Sequence, residues 1–172
     1  MLSVGACCIV LLVLTTVIHY EMLRMLSIGL PGLNVPARAK LIAVILGTFC
    51  AHALEILLYA VAFYVLARYL RDGMLGDAAR SSFTLALYFS GETYTSLGYG
   101  DVVPGGDLRM LAGMEALNGL LLIGWSASYT YIAMERFWGT DDKESATAIE
   151  PRGAAAGVPV ARKSVNSLSQ RT

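Results

Sequence analysis

The chain reads as an all-α membrane protein with three transmembrane helices and a short re-entrant helix between the second and third. Three observations predict this. First, 56% of the 172 residues are hydrophobic and only 15% are charged, whereas ordinary soluble domains carry about 25% charge. The mean hydropathy is +0.59. Second, three apolar stretches each supply the roughly 20 residues that cross a bilayer. Third, a capped apolar segment over residues 83–95 is too short to cross and ends in a glycine-rich run.

The first span starts at Leu2, with Val4–Ile18 free of charge, and helical pattern carries on to Ile28. Met1–Val4 has no positive charge and no cleavage pattern follows, so residues 1–28 read as a membrane helix and not a leader. Gly29-Leu30-Pro31-Gly32 breaks the pattern, and residues 29–39 form a connector containing Pro36. Residues 40–70 form the second span, interrupted only by His52, Glu55 and Arg68. Arg71–Arg80 is polar and reads as a loop. Ser81-Ser82 then offers an N-cap to a helix over 83–95. Irregular backbone at membrane depth is tolerated only where protein or water surrounds it, which makes 83–101 re-entrant. After a turn at Pro104-Gly105-Gly106, the third span covers 108–138. Residues 139–172 turn to Asp, Lys, Ser, Ala, Gly and Pro without periodicity, and disorder is expected there.

Other classes are excluded by composition. A formal net charge of zero offers no basic surface to nucleic acid. Cys7, Cys8 and Cys50 make no disulfide framework and read as small apolar residues. No phosphate-binding loop or nucleophile elbow is present, and neither an enzyme activity, a small-molecule substrate nor a cofactor is expected.

Residues 95–101 read Thr95-Ser96-Leu97-Gly98-Tyr99-Gly100-Asp101. Glycines flanking an aromatic residue let the backbone alternate between left- and right-handed conformations. In such a ribbon successive carbonyl oxygens turn to one side. Four copies around an axis stack rings of carbonyls that replace the hydration shell of a potassium ion. The run resembles the potassium-channel selectivity filter, Thr-Val-Gly-Tyr-Gly-Asp, with Ser96 and Leu97 standing where Thr and Val are usual. Residues 40–138 resemble the minimal pore module of the tetrameric cation channels: outer helix, pore helix 83–95, filter 96–101 and inner helix 108–138. The resemblance implies a homotetramer in membrane lipid. It also implies K+ as permeant ion, held by the carbonyls of Ser96, Leu97, Gly98 and Tyr99 and the Ser96 hydroxyl, with Gly100 closing the filter. Leu97 lacks the β-branching of valine, so a less strict selectivity is expected. A weakly selective cation channel and a non-conducting accessory subunit are the alternatives.

Thr95, Glu92 and Asp101 are the candidate filter supports. In bacterial proton-activated potassium channels, which the chain also resembles, a glutamate and an aspartate at these relative positions join behind the filter. That resemblance implies a Glu92–Asp101 pair sharing a proton. In the third span, Gly119 is a candidate bend or packing site. Asn118 either lines a central cavity or bonds a neighbouring helix. Glu115 is an intramembrane carboxyl that could bond the back of the pore helix. His52 and Glu55, three apart, share one helix face and form a possible pH-sensing pair. His19 lies toward the inner end of the first helix, away from that pair, and three ligands with metal spacing are not evident. No helix carries the repeating arginines of a voltage sensor.

The family's orientation implies an outward-facing filter and amino terminus. Arg24, Arg38, Lys40, Arg136 and the tail then lie on the cytoplasmic side. Membrane-proximal charge is nearly balanced and does not set the orientation alone. Minimal loops point to a bacterial inner membrane.

Overall fold

The computed structural model describes residues 2–70, 75 and 82–149, with only the backbone path at 70 and 140–149. Four helices account for nearly all of it: α1 (Leu2–Gly29), α2 (Ala37–Val65), α3 (Phe83–Tyr94) and α4 (Leu108–Ile149). A π-helical turn, Leu66–Leu70, extends α2. Three helices are long and apolar enough to cross a membrane, over Leu2–Gly29, Ala37–Tyr69 and Leu108–Gly139.

The helix ends follow local chemistry. The α1 helix stops at Gly29, and the tight turn after it is held by Leu33 N–H donating to the Leu30 carbonyl at 3.2 Å. Pro36, φ −59° and ψ 149°, stands immediately before α2, where its missing N–H costs nothing. Ser82 caps α3, its hydroxyl accepting from the Leu85 N–H at 3.1 Å. Ser81 and the predicted loop over 71–80 lie outside the described residues, except Leu75. The predicted disorder from residue 139 is corrected in part, because α4 continues to Ile149. Asp141–Ile149 contains Lys, Glu and Ala, which favour helix, and no proline occurs before Pro151. The predicted tail over 150–172 lies outside the described residues.

Each spanning helix buries a stripe at helical spacing. On α1 it is Val4, Cys8, Leu11, Thr15, His19 and Leu23. The stripes assemble two apolar cores. One joins the start of α1, the end of α2 and the start of α4, through Val4, Leu11, Tyr59, Phe63, Leu108 and Leu111. The other joins Leu30, Ala37, Val44, Ala133 and Phe137 at the opposite end. This pairing of ends makes α1 and α4 run one way and α2 the other. Lys40 Nζ lies 5.5 Å from the Phe137 ring centroid at the second core. Between the two cores lies a polar layer: Thr15, His19, Thr48, Glu55, Glu115, Asn118 and Ser126 are all buried.

The α3 helix descends from the first core to that layer. Its start packs Phe83 against Tyr64, with ring centroids 6.0 Å apart. Its middle packs Phe89 edge-on to Phe63 at 5.0 Å. Its last residue, Tyr94, is buried among the polar groups. The chain then returns, since Val102 belongs to the first core and Pro104 bridges to Leu75. A half-membrane helix followed by an ascending irregular strand is the re-entrant element that the sequence predicts.

Candidate functional site

The site has two faces, one on each side of α3. The front is the run after Tyr94. Thr95 closes α3, its hydroxyl donating to the Gly91 carbonyl at 2.8 Å. Ser96 N–H donates to Thr93 O at 3.0 Å, and Leu97 and Gly98 N–H both donate to Glu92 O, at 2.8 and 3.4 Å. The strand is therefore hinged on the end of the helix. From there φ is positive at every second residue: Ser96 at 56°, Gly98 at 57° and Gly100 at 79°. Glycine accepts this freely, whereas Ser96 carries a cost of roughly 1–2 kcal/mol. Residues 95–101 are all exposed in the single chain, Leu97 at 58% and Tyr99 at 68%.

Among the described residues Asp101 has a hydrogen-bond partner other than the expected Glu92. Tyr88 donates to both Asp101 oxygens, at 3.1 and 3.0 Å. Tyr88 and Asp101 share the outward side of the re-entrant element. Glu92 is turned inward, and its Oε2 is buried without a hydrogen-bond partner among the described residues.

The back of α3 is closed by the spanning helices. Gly119 stands where a Cβ would lie 2.2 Å from the Tyr94 carbonyl oxygen. The α4 helix is continuous there, so Gly119 serves close packing and not a break. Asn118 is 2% exposed and donates to Thr15 Oγ1 at 2.8 Å and Tyr59 Oη at 3.2 Å. It binds α1 and α2 to α4, and the cavity-lining alternative is ruled out for this chain. Ser90 Oγ donates to Ile56 O at 2.8 Å and lies at hydrogen-bond distance from Glu115 Oε1. Glu115 is fully buried, and its Oε2 has no partner among the described residues.

A second cluster surrounds Glu55. His19 Nδ1 is 2.9 Å from Glu55 Oε1, so the expected separation of His19 from this pair is corrected. His52 Nδ1 is 3.2 Å from Glu55 Oε2 and 2.8 Å from Tyr94 Oη. Tyr94 Oη donates to Glu55 Oε2. Both Nε2 atoms meet Ser126 Oγ, at 3.1 Å from His19 and 3.0 Å from His52. Ligand atoms of His19, His52 and Glu55 lie within 4.8 Å of one another. The expectation that no such trio exists is corrected too: α1 and α2 are antiparallel, and their midpoints coincide.

Sequence reading missed His19, Ser126, Tyr94, Tyr88 and Ser90. The available signal was periodicity, since Thr15 and His19 continue the apolar stripe Val4-Cys8-Leu11, and Ser126 lies eight residues beyond Asn118 on one face of α4.

Three spanning helices around a half-membrane helix and returning strand define a membrane pore-loop architecture. A family model described as ion channel matches residues 51–136, half of the chain. The chain belongs to this ion-channel family. Searches of the curated proteins and of the solved structures give no match.

Proposed function

We propose that the chain is one of four identical subunits of a potassium-selective channel that conducts K+ passively across the membrane. The observation that carries this reading is the alternation of left-handed φ at Ser96, Gly98 and Gly100. It occurs on a strand exposed in one chain, at the end of a half-membrane helix. Alternation of this kind turns successive carbonyls to one side, and rings of carbonyls dehydrate a cation. In this reading Ser96, Leu97, Gly98 and Tyr99 supply the carbonyls and Ser96 adds its hydroxyl. Thr95 and Asp101 fix the ends of the strand, and Gly100 leads it out. The α3 carboxyl end directs the negative end of its dipole toward the ion. The orientation follows the family: amino terminus outside, and Arg24, Arg38, Lys40 and Arg136 at the cytoplasmic side.

The test is rubidium uptake into liposomes holding the purified protein under a potassium gradient. Uptake that barium blocks, with little sodium flux, is expected, together with a detergent complex of four chains by mass. Equal sodium and rubidium flux selects a weakly selective cation channel. Absence of any uptake overturns conduction and leaves an accessory role.

A further inference from the structure

From the His19, His52, Glu55 and Ser126 geometry we infer a divalent transition-metal site inside the helix bundle, apart from the proposed filter. Its ligands are His19 Nδ1, His52 Nδ1 and a Glu55 carboxylate oxygen, from α1 and α2. Two imidazoles and a carboxylate suit Zn2+, Co2+ or Ni2+.

Tyr94 donates its hydroxyl proton to Glu55 Oε2, and the Glu55 oxygens only accept. For His19 Nδ1 to bond Glu55 at 2.9 Å, and His52 Nδ1 to bond Tyr94 Oη at 2.8 Å, both Nδ1 atoms must carry protons. Each neutral ring then presents a bare Nε2 lone pair to Ser126 Oγ, at 3.1 and 3.0 Å. Ser126 has one hydroxyl proton and cannot serve both. As a metal-free cluster of neutral histidines, the layer has one acceptor too many in a buried place, which is costly.

A metal ion on the Nδ1 side removes the surplus acceptor and leaves the Ser126 proton to turn to its own helix backbone. The Nδ1 atoms become ligands, each ring proton moves to Nε2, and both Nε2–H groups donate to the two lone pairs of Ser126 Oγ. No net proton is released from the rings. Metal-bound histidines characteristically donate their other N–H to an oxygen that fixes ring orientation, and Ser126 already holds that position for both rings. Metal–ligand bonds of about 2.0–2.2 Å put tetrahedral donor atoms about 3.4 Å apart; the two histidine–Glu55 contacts stand at 2.9 and 3.2 Å, and the three ligand atoms lie within 4.8 Å of one another. Side-chain shifts therefore suffice. His19 and Glu55 are fully buried, and the 18%-exposed His52 side chain is the point of entry. An ion there would tie α1 to α2 beside Tyr94, the last residue of α3.

The test is Co2+ titration of the tag-free, full-length protein in detergent after chelator treatment, followed by Zn2+ competition. One Co2+ per chain is expected, with visible ligand-field bands and no thiolate charge-transfer band, displaced by one Zn2+ per chain. Ser126→Ala keeps the ligands and is expected to weaken binding about 10–100-fold. His19→Gln and His52→Gln should abolish the bands, with circular dichroism reporting whether each variant is folded. If either histidine variant fails to fold, Ser126→Ala and the parent spectrum decide. Parent protein that binds no Co2+ or Zn2+ overturns the site and leaves an extra proton to meet the deficit. Binding with thiolate bands, retained in the histidine variants, assigns the metal to Cys7 and Cys8 and likewise overturns it.

Discussion

The two sides of α3 are built on opposite principles. Behind the helix, Ser90, Tyr94, Glu55, His52, Asn118 and Glu115 engage one another or the spanning helices of the same chain. In front, residues 95–101 are exposed, and their internal backbone bonds reach only the end of α3. A water-free interior makes an unpaired polar group expensive, and the back is largely completed within one chain, with Glu92 Oε2 and Glu115 Oε2 the exceptions among the described residues. The front has no such completion, which supports copies of the chain finishing it around an axis. Substitutions behind α3 should therefore first reduce stability, and those in front should first change conduction.

The largest effect is expected at Gly119. An added Cβ would lie 2.2 Å from the backbone oxygen of Tyr94, which cannot rotate away as a side-chain tip can. Gly119→Ala should cost about 3 kcal/mol, the upper end of the overpacking range, and displace the root of the strand with it. At Gly124 nothing lies within 4 Å of the added carbon. Gly124→Ala should match the parent or gain up to about 1 kcal/mol from helix propensity. Thermal unfolding in detergent, read by circular dichroism, distinguishes the two. Equal midpoints would remove the claim that close contact between α3 and α4 sets the back.

Ser90 and Glu115 come next. Ser90→Ala leaves the buried Glu115 Oε1 without the partner that the structure gives it, a loss of about 1–3 kcal/mol. Replacing both, in Ser90→Ala/Glu115→Met, removes the unmet group together with its partner. The double variant should be more stable than the sum of the single losses predicts. Additive losses would mean that the two residues act separately.

At the front, Tyr88→Phe removes the donor that holds both Asp101 oxygens. Both residues are exposed, so water can replace the bond, and the unfolding midpoint should stay at the parent value. Rubidium flux should change instead, because Asp101 ends the strand. A lowered midpoint with unchanged flux would reverse the assignment of this contact to the front.

How much of this was legible in the sequence depended on distance along the chain. Local chemistry announced the helix breaks at Gly29 and Pro36, the Ser82 cap, the short α3 and the glycine run, since each is a property of a few adjacent residues. The polar layer was not legible in the same way. His19 Nδ1 and Glu55 Oε1 are 36 positions apart, and Asn118 and Thr15 are 103 apart. Their contacts depend on how far each helix slides along its neighbours. The Tyr88–Asp101 contact was not read from the sequence for a local reason. Glu92 faces into the bundle, while Tyr88, one turn earlier on α3, carries a phenol long enough to reach the carboxylate. The helical stretch beyond Gly139 was not legible from composition, because Asp, Lys, Ser and Ala without an apolar period are common to exposed helices and disordered tails.

The smallest effect, and the sharpest test of the front, is expected at Leu97. Its side chain is 58% exposed in the single chain, and it lies between the left-handed residues Ser96 and Gly98. Valine at this position would fix χ1 and stiffen the strand without altering any contact behind α3. Leu97→Val should leave the unfolding midpoint unchanged. It should lower sodium permeability relative to potassium by less than tenfold, that is, under about 1.4 kcal/mol. Reversal potentials under bi-ionic conditions measure this directly. Identical permeability ratios in parent and variant would show that strand stiffness at Leu97 does not set selectivity. A shifted unfolding midpoint would show instead that front and back are mechanically one unit, because stiffening a strand hinged on Glu92 O would then be felt through Tyr94 in the polar layer.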